Sequence, residues 1–187
     1  CKTGLSDALI GATYALCEVQ GTNKASHVRD KLTEMVALSE TLYCCSIACS
    51  CQGYPLPAGN YIADPLLANV TKLNVTRYIY EIARLAQDLA GGVLATAPSE
   101  KDWQHPKVGK YVDKYMKSVA EIPAETRIRL LRLIEGMTCG TALAESMHGA
   151  GSPQAQKIMI ERRANFERKK RLAQKLAKIG EQPFLVT

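Results

Sequence analysis

The sequence predicts an all-α fold, an antiparallel helical bundle, and three observations carry that expectation. Apolar residues recur at helical spacing in five or six stretches. Alanine and leucine dominate while aromatic residues make up 6% of the chain, a composition that favours closely packed helices over sheets of β-branched residues. No stretch reads convincingly as a strand, and three of the helical stretches exceed the usual length of about 11 residues.

The first helix is expected from Leu5 to Val19, LSDALIGATYALCEV, with Ser6 or Asp7 near its start. After a turn at 20–24, Ser26 is placed to cap a second helix in which Val28, Leu32, Met35, Val36, Leu42 and Tyr43 return near every third or fourth position. Gly53 stops it, and YPLPAGNY forms an irregular crossover. Asp64 and Pro65 then supply an N-cap and a first-turn proline for a third long helix reaching Asp88 or Ala90, apolar on more than one side. Gly91 and Gly92 open a loop, and a shorter helix starts at His105 or Pro106. A fifth starts at Pro123 or Ala124 and continues through AETRIRLLRLIEGMTCGTALAESM, and HGAGSPQAQ separates it from a basic helix between Pro153 and Ile179. A chain of 187 residues fits a single core, so 1–187 is expected to be one domain.

The net charge of +6 comes largely from basic residues between Glu161 and Lys178, spaced as on a helix with Leu172 and Leu176 between them. A solvated helix face accounts for that pattern, and neither nucleic acid nor a membrane is expected as a partner. No run approaches the roughly 18 apolar residues of a membrane span. Seven cysteines, an odd number with Cys44, Cys45, Cys49 and Cys51 crowded on one helix, do not form a disulfide framework and point to a reducing, cytoplasmic compartment. Cys45 and Cys49 share a helix face, whereas Cys44 and Cys51 point elsewhere, so buried thiols at a tight helix contact explain the group better than a metal does.

Two segments can carry chemistry. Between Gly91 and Ser99, paired glycines let backbone approach a flat or phosphorylated ligand, and Thr96 and Ser99 add hydroxyls. Neither of the common phosphate-loop patterns is present, and a helix terminus followed by a surface loop is the plain alternative. In HGAGSP, His148 to Pro153, the amides of the following helical turn suit a phosphate or carboxylate, against the alternative of a simple interhelical turn. His27 and His105 sit at helix starts and read as local hydrogen-bonding or surface residues.

The ordered set CKTGLSDALIGA, KASHVRDKLTEM, LAGGVLATAPSEKDW, ETRIRLLRLIE and HGAGSPQAQ resembles, across essentially the whole chain, the carboxy-terminal part of the 4-hydroxyphenylacetate 3-hydroxylase flavoprotein family, in its branch of 4-hydroxybutyryl-CoA dehydratases and vinylacetyl-CoA delta-isomerases. The resemblance implies a helical bundle like the carboxy-terminal domain of acyl-CoA dehydrogenases, preceded in a longer protein by a helical domain and a β-barrel. It also implies a homotetramer, an acyl-CoA substrate and FAD in a cleft that neighbouring subunits help to close. A [4Fe-4S] cluster would be held by three cysteines and a histidine, of which only the third cysteine, matching Cys1, falls in this chain; the family's catalytic tyrosine falls upstream with the rest.

Lys2 matches a lysine near the reacting substrate. Gly91, Gly92, Ala95 and Thr96 match a flavin-contacting segment, and His148, Gly149 and Gly151 part of the cofactor or substrate cleft. A carboxy-terminal catalytic glutamate of the family falls on Glu135, Glu145 or Glu161; Glu145, one turn before the glycine turn, is preferred. The implied reaction is dehydration of 4-hydroxybutyryl-CoA to crotonyl-CoA, with vinylacetyl-CoA isomerisation and no net redox change. The isolated chain, with one cluster ligand, is expected to be inactive. Cys1 and Lys2 ahead of GLSDALIGA favour this reading over a flavin-dependent aromatic hydroxylase of the same family, which needs no cluster. A non-catalytic helical module is the third reading.

Overall fold

The computed structural model describes residues 1–149 and 151–179. It is an all-α bundle arranged around one central helix. In chain order its elements are α1 (Lys2–Val19), α2 (Ser26–Cys51), β1 (Tyr54–Pro55), β2 (Tyr61–Ile62), α3 (Pro65–Ala90), α4 (Val93–Thr96), α5 (Glu100–Gln104), α6 (Gly109–Met116), α7 (Ala124–Thr138), α8 (Thr141–His148), α9 (Pro153–Arg163) and α10 (Phe166–Leu176). Helix α3 touches α1, α2, α7, α8 and α9, so every long helix of the core meets it.

The sequence explains why α3 takes that place. The Asp64 side chain accepts from the Leu67 amide at 2.7 Å and Pro65 fills the first helical turn, which fixes where the helix begins. From there Val75, Ile79, Ile82, Ala83, Leu85, Ala86 and Ala90 are buried, a set too broad for one stripe, and the alanines among them let neighbouring helices come close. Leu9 and Leu16 of α1, Met35 of α2, and Leu131 and Ile134 of α7 complete the main core around Ile82 and Ala86. Burying each large aliphatic side chain contributes about 1.5–3 kcal/mol. Hydroxyls on the buried face of α1 are satisfied locally: Ser6 donates to the Lys2 carbonyl and Thr13 to the Leu9 carbonyl, at 3.0 and 2.7 Å.

Several boundaries differ from the sequence reading. Helix α1 starts at Lys2 rather than Leu5, and Ser6 lies inside it. Ser26 does not cap α2; Ala25 holds the extended N-cap conformation and Ser26 is the first helical residue. The crossover contains a two-residue antiparallel pair, Tyr54 with Ile62 and Pro55 with Tyr61. Two further short helices, α4 and α5, occupy the loop after Gly92, the second started by a capping box between Ser99 and Asp102. Helix α6 begins at Gly109, because His105 before Pro106 is extended, as the proline ring demands.

The expected fifth helix is two. Gly140 is extended with its Cα close to the Gly136 carbonyl, where an added Cβ would sit 2.8 Å from that oxygen, and this breaks α7 from α8. The basic helix is also two, separated by Asn165 in the left-handed conformation (φ 42°), whose side chain accepts from the Arg168 amide at 3.1 Å and starts α10. No residue of α10 is buried.

Among the described residues, α2 alone has the length and composition that a membrane span would need, where the sequence reading expected none. Its Val28, Met35 and Leu42 are packed into the bundle. The crowded cysteines also differ from expectation: Cys49 is buried and its thiol points at the Asp64 carbonyl, 3.6 Å away, but Cys44 and Cys51 are exposed. No group of three or more His, Cys, Asp or Glu that could hold a metal ion occurs among the described residues.

Candidate functional site

Chemistry-bearing residues gather at two places along α3. The first lies beside its amino-terminal half, where the start of α1 meets α8. Here the Lys2 ammonium forms an ion pair with Oε2 of Glu145. The lysine side chain is 20% exposed and the carboxylate 60%, so the pair is walled on the lysine side and open on the other. Gly149 presses against it: a Cβ there would stand 2.5 Å from Glu145 Oε1 and 2.8 Å from the Glu145 carbonyl. A glycine at this position therefore lets the Glu145 side chain fold over the end of its own helix.

Two residues of α3 hold α8 in that position. Tyr80 donates to the Leu143 carbonyl at 3.1 Å, and Lys72 donates to the Ser146 carbonyl at 2.8 Å and to that of Met147 at 3.4 Å. Carbonyls in the last helical turn lack intrahelical partners, so a lysine there satisfies bonds and complements the helix dipole together. Burial, and then the neighbouring Lys2 ammonium, push the Lys72 amine below the ordinary lysine value.

The second place is the far end of α3, about 22 Å further along the helix axis at 1.5 Å per residue from Lys72 to Gln87. Arg84, Gln87, Asp88, Gly91, Gly92, Leu94, Ala95, Glu135 and Cys139 line a cleft of about 560 Å³. Gly91 has φ +73°, which turns the chain out of α3, and neither Gly91 nor Gly92 has any atom within 4 Å of where a Cβ would stand. Backbone is thus laid open to the cleft. Its carboxylates are already partnered: Asp88 by Lys31 at 2.6 Å and Glu135 by Arg132 at 2.5 Å. The Arg132 guanidinium also donates to the Ala97 carbonyl, which ties the loop after α4 to α7.

The structure thus brings Lys2, Glu145 and Gly149 together, and separately Gly91, Gly92 and Ala95. Thr96 is exposed and its hydroxyl turns back to the Gly92 carbonyl at 3.5 Å; Ser99 is engaged in the α5 capping box. Cys1 is exposed at the N-cap of α1, His148 is exposed at the end of α8, and Gly151 (φ +99°) lies in the turn before α9, started by Ser152; Ala150 falls outside the described residues. Of the three candidate glutamates, Glu135 lines the glycine cleft, Glu161 is exposed on α9, and Glu145, also exposed, pairs with Lys2. Lys72 and Tyr80 were not singled out from the sequence. A signal existed for Lys72, because it heads the row 72, 76, 79, 83, whose other members Thr76, Ile79 and Ala83 are buried.

The sequence and the helical-bundle fold match a known family. Residues 1–178 match the family HpaB, 4-hydroxyphenylacetate 3-hydroxylase C terminal, and the chain belongs to it. Within that family it is 49% identical over 191 residues to the 4-hydroxybutyryl-CoA dehydratase/vinylacetyl-CoA-Delta-isomerase of Clostridium aminobutyricum, covering 96% of this chain and 39% of that protein. The solved structure of an oxygen-tolerant archaeal 4-hydroxybutyryl-CoA dehydratase from N. maritimus superposes with a TM-score of 0.94 at 50% identity, over 97% of this chain and 37% of that one. The oxygenase component of a 4-hydroxyphenylacetate 3-monooxygenase, solved with FAD, shares the fold at a TM-score of 0.84 and 21% identity, over 95% and 38% of the two chains. The chain spans somewhat under two fifths of the dehydratases it matches.

Proposed function

We propose that residues 1–187 are the carboxy-terminal helical-bundle domain of a longer 4-hydroxybutyryl-CoA dehydratase, which converts 4-hydroxybutyryl-CoA to crotonyl-CoA and isomerises vinylacetyl-CoA. The observation that carries this reading is the near-complete match to dehydratases at 49–50% identity, against 21% for the monooxygenase component. The ion pair of Lys2 with Glu145 supports it, since it supplies the two charged groups that removal of a weakly acidic hydrogen needs.

In this reading Glu145 is the proton acceptor. Lys2 engages Oε2 with its ammonium, which leaves Oε1, beside Gly149, to take a proton from the substrate carbon. Once Glu145 is neutral, the Lys2 ammonium has lost its partner and can stabilise negative charge on the thioester oxygen or the departing hydroxyl. Gly149 matters by leaving the carboxylate room to stand where it does.

The residues present also fit parts of two cofactor sites. Over Gly91 and Gly92 the backbone is bare, as close approach of a flat ring or a phosphate requires, so Gly91, Gly92 and Ala95 would contact one portion of FAD. Cys1 offers one exposed thiol and would supply a single ligand to a [4Fe-4S] cluster whose other ligands lie outside this chain. Bound together, flavin and cluster supply transient one-electron chemistry and a Lewis-acidic iron for the leaving hydroxyl. A homotetramer in the cytoplasm completes the proposal, and the free thiols suit a reducing compartment.

The test is turnover by the full-length protein carrying this chain. Anaerobically purified protein should form crotonyl-CoA from 4-hydroxybutyryl-CoA without added oxidant or reductant. Hydroxylation of 4-hydroxyphenylacetate with reduced flavin and oxygen, and no dehydration, would replace this reading with the aromatic hydroxylase; neither activity would favour a non-catalytic module.

A further inference from the structure

We infer that Lys72 is a positioning residue of the reaction: by bonding the last-turn carbonyls of α8 it sets where Glu145 stands relative to Lys2. The inference rests on the role proposed for Glu145 and adds a residue from a third helix to that site.

The geometry is that of a two-point clamp. Tyr80 holds α8 at the Leu143 carbonyl and Lys72 holds it at the Ser146 and Met147 carbonyls, so the two tethers fall on either side of Glu145. They lie eight residues apart on α3, about two helical turns, and engage positions about one turn apart on α8. Such a clamp restricts both the axial position of α8 and its rotation. Ser146, fully buried and bonded back to the Ala142 carbonyl at 2.8 Å, keeps that face of α8 inward. Glu145 is one residue away on a more exposed face and depends on this anchorage for its direction.

A structural cap alone does not explain the choice of side chain. The end of a short helix can be closed by water or by the following turn, and Gly149 already donates to the Glu145 carbonyl at 2.7 Å. Placing a half-buried ammonium near a second one, Lys2, is unfavourable unless its bonds are needed. The chain nevertheless places lysine there, on a row whose next members are buried.

The experiment uses the full-length protein with Lys72→Met, Glu145→Gln and the double variant, following kcat, KM for 4-hydroxybutyryl-CoA, flavin content and amide hydrogen exchange across residues 141–148. Lys72→Met should lower kcat at least tenfold with KM within twofold and flavin retained, and should speed exchange in the last turn of α8. In the double variant the loss should be no greater than for Glu145→Gln alone, because both changes disable one group. Multiplying losses, or a kcat for Lys72→Met within twofold of the parent despite faster exchange, would overturn the inference and leave Lys72 as a cap. A Glu145→Gln enzyme that turns over like the parent would instead overturn the role of Glu145, and the positioning role with it. If Lys72→Met does not fold, Lys72→Arg and Lys72→Gln replace it: the rate should be higher with the charged guanidinium than with the neutral amide, and equal rates would overturn the inference.

Discussion

At the amino-terminal half of α3 three helices close around one pair of opposite charges, while at its carboxy-terminal end the same helix runs out into bare backbone. The first region is preassembled: Lys2 and Glu145 meet, Gly149 gives the carboxylate space, and Lys72 and Tyr80 hold the helix that carries it. The second is unfinished. Gly91 and Gly92 face open space, and the charged side chains on the rim are held by partners in the bundle. In the proposed function the contrast separates two jobs, proton handling where charges are fixed and ligand contact where backbone lies open.

The sharpest way to break the comparison is Lys2→Met in the full-length protein. If the pair handles the proton as proposed, turnover should fall by about 10²-fold or more while flavin content stays at the parent level. Equal loss of flavin would show that the two regions are not independent. Gly149→Ala is next. Its methyl group would collide with the Glu145 carboxylate and carbonyl, so Glu145 must turn away; crowding of this kind costs about 1–3 kcal/mol. Turnover should drop about tenfold at a temperature where the variant is still folded, with the melting temperature lowered by a few degrees. Unimpaired turnover would mean that the carboxylate does not need its present position.

Gly92→Val asks the converse question of the open end. Gly92 has φ −59° and nothing within 4 Å of a Cβ, so valine fits the fold and costs less than about 1 kcal/mol. What it obstructs is a ligand lying on the backbone. Flavin content after gel filtration should fall severalfold with circular dichroism unchanged. Full flavin occupancy would remove the glycine cleft from the flavin site and leave it a surface loop.

Legibility in the sequence followed the range of the interactions. The start of α3 was readable because Asp64 and Pro65 act within one turn, and the bundle was readable because its buried rows repeat locally. The breaks at Gly140 and Asn165 were not, since glycine and asparagine are tolerated inside helices and only packing decides which conformation wins. At the site, Lys2 and Glu145 were named from resemblance, yet nothing in their spacing could show that α1 and α8 would bring them into contact across α3. Lys72 was passed over because a lysine between apolar residues ordinarily reaches for solvent. Here its amine is turned inward to the carbonyls of α8.

A last comparison sets the exposed pair at the cleft rim, Lys31 with Asp88, against the partly enclosed pair of Lys2 with Glu145. The hydrogen bond from Lys31 holds the Asp88 carboxyl below its ordinary value, with the Lys31 and Arg84 charges acting in the same direction. A carboxylate with a depressed folded-state pKa contributes stability that is present above its unfolded value, near pH 4, and is lost as the pH falls through that value toward the folded one. The Asp88 side chain is 47% exposed, so solvent screens the pair and it is worth no more than about 1 kcal/mol. Lys31→Met should therefore lower the melting temperature by a few degrees at most at pH 7, and the gap to the parent should close between pH 5 and pH 2 while turnover and flavin content are unchanged. A gap that stays constant across that range would assign the loss to the packing of the lysine stem between α2 and α3. Loss of flavin at neutral pH would show that the rim charge belongs to the ligand site proposed over the glycines.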